Sequence, residues 1–388
     1  MGYQVIFMGE NIIYFSSDEW NSSLKTSQYH IALRLAQKCN VLYINSIGLR
    51  RPSATKRDLL KIKNKIKALF QGIKQVDTRL FVVSPVVLPF HQYRLVRKIN
   101  QWLLILFVKY CQYKLRFAQP ILITFLPNVH DLIGSFHEKK VVYYCADKMS
   151  SFKGVVPEVI EKMESALLQR ADAVITTSRK LYEEKKTRNP NTYYMPHGVD
   201  FSLFNRVQQE NLALPADLAG IRRPIIGFFG LISKDWVDFD LLKFLASRHP
   251  EWSLVMIGKI DEGVPAEITP FPNIYFLGPK DYERLPHYLK AFDVATIPFV
   301  ISHLTDYCNP IKVKEYLAAG RPVVSVDLLQ VREFSQIIDI AHNYLEFEQL
   351  LQANLAQDSP EKMCRRIDAV RNETWDQRAE AIFQLVCQ

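Results

Sequence analysis

Asp306-Tyr-Cys-Asn-Pro-Ile-Lys-Val-Lys-Glu-Tyr-Leu-Ala-Ala-Gly-Arg-Pro-Val-Val324 reads as a loop, a helix, a tight stop and a buried strand in succession. Proline suits the first helical turn, so Asn309-Pro310 can open a helix over Ile311–Ala319. Gly320 is a fitting C-terminal cap, and Pro322–Val326 continues at once as an apolar strand. A helix N-terminus presents unpaired N–H groups and a partial positive charge, which favour a phosphate. Lys312 in the first turn would add a full charge there, and Glu315, three residues on, shares its helix face. A cation for a diphosphate and a carboxylate for ribose hydroxyls thus stand side by side. Taken alone, the pair reads better as an ordinary surface contact worth roughly a few tenths of a kcal/mol.

Outward from this stretch, short apolar runs alternate with longer helical patterns along the whole chain, which predicts parallel sheets covered by helices. The expected strands of the first half are Val5–Met8, Asn40–Asn45, Leu80–Ser84, Ile121–Phe125, Val141–Cys145, Ala173–Thr177 and Thr192–Met195. Helices are expected over Ser27–Lys38, after Arg57, over Val96–Phe117 and over Val156–Arg170, with a polar loop after Pro196–Asp200. The pattern then restarts with strands Arg223–Gly230, Ser253–Gly258, Ile274–Gly278, Val294–Pro298 and Pro322–Val326, and helices Phe239–Arg248 and Arg284–Ala291. At 388 residues the chain can bury two such cores. The expected fold class is α/β, two Rossmann-like domains facing across a cleft. Residues 1–205 form the first, residues 206–371 the second, and residues 372–388 return to the first.

Composition narrows the classes further. Cys39, Cys111, Cys145, Cys308, Cys364 and Cys387 are scattered without a C-x-x-C pair, which argues against a zinc site or a disulfide framework and suits a cytoplasmic protein. No leader-like start is recognised, and no apolar run approaches the roughly 20 residues that span a bilayer. The net charge of +9 is uneven: Arg50–Lys74 holds many basic residues and one acid, Asp58, and His91–Phe117 is basic and aromatic. Basic helices with an apolar stripe fit an anionic membrane surface, although a solvated face on a core-packed helix has the same composition. Nothing resembles a nucleic-acid-binding motif.

Glu315-Tyr-Leu-Ala-Ala-Gly-Arg-Pro-Val-Val324 resembles the nucleotide-sugar helix of GT-B glycosyltransferases in the glycosyltransferase group 1 superfamily. There, E-x7-E precedes a small-residue segment and G-x-P-V-V. The first glutamate position is Tyr307 here, and the chain is similar to a branch carrying N-P-x-K in that segment. The resemblance implies a GT-B fold with an N-terminal acceptor domain and a C-terminal nucleotide-sugar domain. It implies donor binding by Glu315, Lys312 and Asn309. Gly227-Phe-Phe-Gly-Leu-Ile-Ser-Lys234 resembles the family's glycine loop, with Gly230 beside the nucleotide and Lys234 as a diphosphate cation. Met195-Pro-His-Gly-Val-Asp200 resembles the family's inter-domain turn and offers His197 to the donor side. Asn372-Glu-Thr-Trp375 resembles its closing element, with Trp375 as a packing anchor. In related inverting enzymes an aspartate placed like Asp147 is the general base, though a turn or capping role is the alternative. Gly9-Glu10, read as the end of a first strand, resembles a loop on the acceptor side. The expected activity is transfer of a sugar from a nucleotide diphosphate sugar to a glycan or lipid-linked acceptor at the cytoplasmic membrane face, in cell-surface polysaccharide synthesis. No metal and no cofactor are expected. A nucleotide-sugar epimerase and a catalytically degenerate membrane scaffold stay open as alternatives.

Overall fold

The structure, a computed structural model, describes residues 9–48, 72–88, 93–260, 268 and 270–387. The expected strand Val5–Met8, the basic residues Arg50 to Lys67 and His91 lie outside them. The chain divides into two compact units, Met1–Pro196 with Arg378–Gln388, and His197–Gln377.

The first unit is built on an eight-stranded sheet in the order β3-β4-β2-β1-β5-β6-β7-β8. Its strands are β1 (Asn11–Phe15), β2 (Asn40–Ile44), β3 (Lys74–Asp77), β4 (Leu80–Val83), β5 (Ile121–Thr124), β6 (Lys140–Cys145), β7 (Ala173–Thr176) and β8 (Thr192–Tyr194). All neighbours are parallel except β3, which runs antiparallel to β4. The inner strands are near-continuous apolar runs because helices cover both faces of a parallel sheet. The sequence Lys-Gln-Val-Asp of β3 is polar and mostly exposed, as an edge strand that must resist further pairing should be. Helices α1 (Ser27–Leu35), α2 (Arg94–Leu115), α3 (Pro157–Arg170) and α4 (Arg179–Lys186) connect these strands. The Thr26 hydroxyl caps α1 by accepting from Gln28 N, and Ser178 caps α4 by accepting from Leu181 N.

Helix α2 has two apolar faces. Asn100, Leu104, Val108 and Cys111 are buried, whereas Leu95, Ile99, Trp102, Leu106, Tyr110 and Tyr113 form an exposed stripe. Leu95 is 70% exposed, Trp102 62% and Tyr113 80%. The helix carries Arg94, Arg97, Lys98, Lys109 and Lys114 and no acidic residue. Among the described residues no helix is long and apolar enough to cross a membrane.

The second unit is a six-stranded, wholly parallel sheet in the order β11-β10-β9-β12-β13-β14. Its strands are β9 (Ile225–Phe229), β10 (Ser253–Ile257), β11 (Ile274–Gly278), β12 (Val294–Ile297), β13 (Val323–Val326) and β14 (Asp339–Ala341). This is the doubly wound Rossmann order, in which the chain reverses direction of travel between its first and fourth strands, here β9 and β12. Helices α5 (Phe201–Gln209), α6 (Phe239–Arg248), α7 (Leu285–Leu289), α8 (Ile311–Ala318), α9 (Tyr344–Gln357) and α10 (Pro360–Val370) pack around it. Helix α11 (Trp375–Cys387) begins in the second unit and ends in the first.

Three expectations need correction here. The segment after Asp200 is not a polar loop but helix α5. It belongs to the second unit because Asn205 and Gln208 donate to the carbonyls of Ala318 and Ala319 at 3.0 and 2.8 Å. The second unit accordingly starts at His197 and not at residue 206, and it runs to Gln377 and not to residue 371. Finally, Gly9 and Glu10 lie directly before β1. The Glu10 carbonyl accepts from Asn40 N, at the start of β2, at 2.8 Å. Its carboxylate pairs with Lys139, just before β6, at 2.6 Å. These residues therefore sit on the amino edge of the sheet, whereas ligands of such sheets bind at the carboxyl edge.

Candidate functional site

The second unit assembles its site at the carboxyl ends of β9 and β12. Strand β9 ends at Phe229, and Gly230 turns away with its N–H donating to Ile257 O at 2.9 Å. A Cβ on Gly230 would lie 3.3 Å from Lys312 Cε and 2.8 Å from Phe228 Cζ, so the bare backbone is what lets the Lys312 chain pass. Behind it, a Cβ on Gly258 would stand 1.8 Å from the Gly230 carbonyl oxygen, so the two strand ends meet backbone to backbone. Lys312 enters from the first turn of α8, whose N-cap is Pro310. The far end of α8 closes as a Schellman motif: Gly320, at φ 72°, donates to Leu317 O at 2.9 Å, and Arg321 N to Tyr316 O at 3.0 Å.

Glu315 is buried, 3% exposed, with its Oε1 accepting from the Tyr282 hydroxyl at 3.2 Å. Burial pushes its carboxyl up to about 7, Asp200 pushes in the same direction, and Lys312 and the Tyr282 bond pull against them. A carboxylate held in that state is poised for a ligand that brings hydroxyl donors. Tyr316, next on α8, accepts from Phe229 N at 3.0 Å and so pins the helix to the end of β9. Asn309 is buried in the segment that leads into α8. Lys234 is exposed in the turn from Ser233 to Trp236, within the loop after β9.

His197 is also in this unit, held by its backbone. Lys314 of α8 donates to His197 O at 2.5 Å and pairs with Glu373 at 2.8 Å. The segment from His197 to Asp200 runs beside the segment from Glu373 to Trp375: Val199 N donates to Glu373 O at 2.8 Å and Trp375 N to Val199 O at 3.2 Å. A Cβ on Gly198 would fall 2.7 Å from Trp375 N, which explains the glycine between histidine and valine. The Trp375 ring is fully buried, with the His197 ring 5.8 Å away. Two motifs far apart in sequence are therefore one structural element.

In the first unit Asp147 follows β6 and is half-buried. Its loop is braced from beneath. Thr177 donates to Ala146 O at 2.7 Å, and Lys148 pairs with Glu184 at 2.5 Å. Fully buried Lys185 bridges Glu164 at 2.7 Å and Glu184 at 2.8 Å, and Tyr143 donates to Glu164 at 2.7 Å. Burial alone would raise Glu184, but hydrogen bonds from Lys148 and Lys185 hold it down to about 2.

Several residues that sequence reasoning passed over gather on the same carboxyl edge. Asp18, in the loop after β1, accepts from Thr26 Oγ1 at 2.5 Å, and burial raises its pKa against that bond. Asn128, just after β5, and Tyr144, near the end of β6, each bury a side-chain oxygen with no hydrogen-bond partner among the described residues. Tyr144 closes a ladder of rings in which Tyr43, Tyr14, Phe125 and Tyr144 follow at centroid spacings of 5.5, 5.2 and 4.6 Å. Tyr282 and Gly258 were likewise missed on the donor side. The clue available was the glycine that closes the expected strand Ser253–Gly258.

Two successive Rossmann-type sheets, the second carrying a helix-borne lysine and a buried glutamate at its switch point, define the GT-B class. Residues 223–357, about a third of the chain, match the family described as "Glycosyl transferases group 1". A Bacillus subtilis (strain 168) protein described as "Putative teichuronic acid biosynthesis glycosyltransferase TuaH" is 28% identical over 204 residues. That match covers 49% of this chain and 51% of the relative, about half of each. Among solved structures, the sucrose-phosphate synthase of Thermosynechococcus elongatus superposes with a TM-score of 0.66 at 17% identity, over 97% of this chain and 98% of that one. Anabaena HepE, solved with UDP and glucose, gives a TM-score of 0.65 at 13% identity, over 98% of this chain and 100% of that one. At these identities the likeness establishes the fold.

Proposed function

We propose that the protein is a glycosyltransferase that moves a sugar from a nucleoside diphosphate sugar to a glycan or lipid-linked acceptor in cell-surface polysaccharide synthesis. The observation that carries this reading is Lys312 lying against Gly230 with Glu315 buried three residues further along α8. Lys312 and the N–H groups at the start of α8 balance the diphosphate, without a metal, as the bond from the sugar's C1 to the phosphate oxygen breaks. Glu315 takes the ribose hydroxyls. Asp147 is the base: its carboxylate accepts the proton of the acceptor hydroxyl as that oxygen bonds to C1, and the bonding pair leaves with the nucleoside diphosphate. The family match over residues 223–357 and the polysaccharide role in the description of the Bacillus subtilis relative both support this reading.

The exposed stripe of α2, flanked only by basic residues, supports docking of the first unit on an anionic membrane surface, where a lipid-linked acceptor is found. On this reading the protein works at the inner face of the cell membrane.

A thermal-shift panel with UDP, GDP, dTDP, CMP and AMP, repeated on Lys312→Ala, tests the donor reading. At a ligand concentration 100-fold above Kd the native state gains about 2.7 kcal/mol, an easily measured shift. One nucleoside diphosphate should raise Tm in the parent and lose most of that effect in the variant. No shift with any nucleotide would overturn the reading and favour a scaffold that has lost catalysis.

A further inference from the structure

Away from the donor site, the second unit holds a cavity of about 540 Å3 lined by Arg223, Pro224, Asp293, Arg321, Asn354, Leu355 and Asp358. Pro224, Asp293 and Arg321 each stand just before a strand, β9, β12 and β13 respectively, so the cavity opens at the amino edge of the sheet. Gly230 and Lys312 lie at the carboxyl edge.

Around this cavity three arginines, Arg223, Arg321 and nearby Arg366, stand with two aspartates, Asp293 and Asp358. Asp293 already pairs with Arg223 through one oxygen and accepts from Ile225 N through the other at 2.6 Å. Both oxygens of Asp358 accept from Arg366 Nη2 at 2.8 Å, and Arg366 Nε donates to Gly320 O at 3.0 Å. Each carboxylate is thus committed to another guanidinium, and Arg321 is left with one hydrogen bond, from Nη1 to Phe292 O at 3.1 Å. Its Nε is buried with no partner among the described residues. Burial, with Arg223 and Arg366 nearby, lowers its pKa more than Asp293 and Asp358 restore it. A guanidinium so placed has no carboxylate within ion-pairing distance among the described residues, and its planar fork matches an oxyanion.

We propose that this cavity is a second ligand site, in which Arg321 and Arg223 bind the phosphate or other oxyanion group of a small polar molecule. The volume exceeds that of a bare ion and falls in the range of small-molecule pockets, with Leu355 and Pro224 as an apolar wall for the rest of the ligand. Arg321 directly follows the Gly320 turn that ends α8, so an occupant would rest against the far end of the donor helix.

The probe is inorganic phosphate titrated into the full chain, with chloride at matched ionic strength as the reference and Tm as the readout. Phosphate should raise Tm in the parent and in Lys312→Ala, whose donor site is impaired, and the shift should vanish in Arg321→Met. A shift that persists in Arg321→Met, one that disappears in Lys312→Ala, or none at all overturns the proposal. Should Arg321→Met not fold, Arg321→Lys keeps the charge and removes the fork, and its phosphate midpoint should rise several-fold. An unchanged midpoint would equally overturn the assignment. Nucleotide binding in Arg321→Met, read separately, stays at the parent value if only this site is lost, so failure here leaves the donor reading standing.

Discussion

Glu315→Gln should stabilise the ligand-free protein, and only at higher pH. The carboxyl is 3% exposed and pushed from its ordinary 4.5 to about 7, chiefly by burial. One pKa unit corresponds to about 1.4 kcal/mol, so the gap amounts to about 3 kcal/mol. The sign follows from proton uptake. Between pH 4.5 and 7 the folded protein holds the Glu315 proton more tightly than the unfolded chain does, so stability falls as pH rises. The contribution is fully present below pH 4.5 and lost once pH passes 7. Glutamine does not titrate, and its carbonyl can still accept from Tyr282. Relative to the parent, the variant should therefore gain about 2–3 kcal/mol between pH 5 and pH 8. Urea unfolding at both pH values measures it, and nucleotide titrations on the same samples should show weaker binding by the variant. The reasoning is refuted if the stability difference between variant and parent is the same at pH 5 and pH 8.

Lys312→Ala should weaken nucleoside diphosphate binding by about 10–100-fold, the worth of a charge-assisted hydrogen bond, and calorimetry at fixed salt reads it. Asp147→Asn should lower turnover by about 10²–10⁴-fold while leaving donor affinity intact; near-normal turnover would remove Asp147 as base. Trp375→Ala should cost about 3–5 kcal/mol in equilibrium unfolding, because a fully buried indole that anchors the His197–Asp200 turn is deleted. Trp102→Ser combined with Leu106→Ser should reduce co-sedimentation with anionic vesicles several-fold with little change in Tm, and undiminished binding would clear α2 of that role.

The inner strands were legible because a strand covered on both faces is an unbroken apolar run. Asn40–Ile44, Ile121–Thr124, Ala173–Thr176 and Val294–Ile297 were read to within a residue at each end. Polar or short elements carry no such mark. Lys74–Asp77 is an exposed edge, Asp339–Ala341 is three residues long, and α4, Arg-Lys-Leu-Tyr-Glu-Glu-Lys-Lys, buries only Leu181 and Lys185. On the donor side, Lys312 and Glu315 could be paired from spacing alone because both lie on one helix. Tyr282 could not, since it reaches Glu315 only after α8 has been set against its neighbours.

The position of β1 shows why a small difference in where a strand begins matters more for function than for fold. Asn11–Phe15 was not among the expected strands, although it is apolar enough to sit in a sheet and fits the alternating pattern. A parallel sheet nevertheless has a direction, and its ligands gather at one end. Starting β1 at Asn11 moves Gly9 and Glu10 to the amino edge, where Glu10 is spent on Lys139, and brings Ser16 to Asp18 to the carboxyl edge instead. The same direction unites Asp18, Asn128, Tyr144 and Asp147, residues from loops and strand ends that nothing in the local sequence connects. Two of them bury oxygens that no described residue satisfies, a cost a protein can offset by accepting hydrogen bonds from a ligand. A ligand's hydroxyls are donors of that kind.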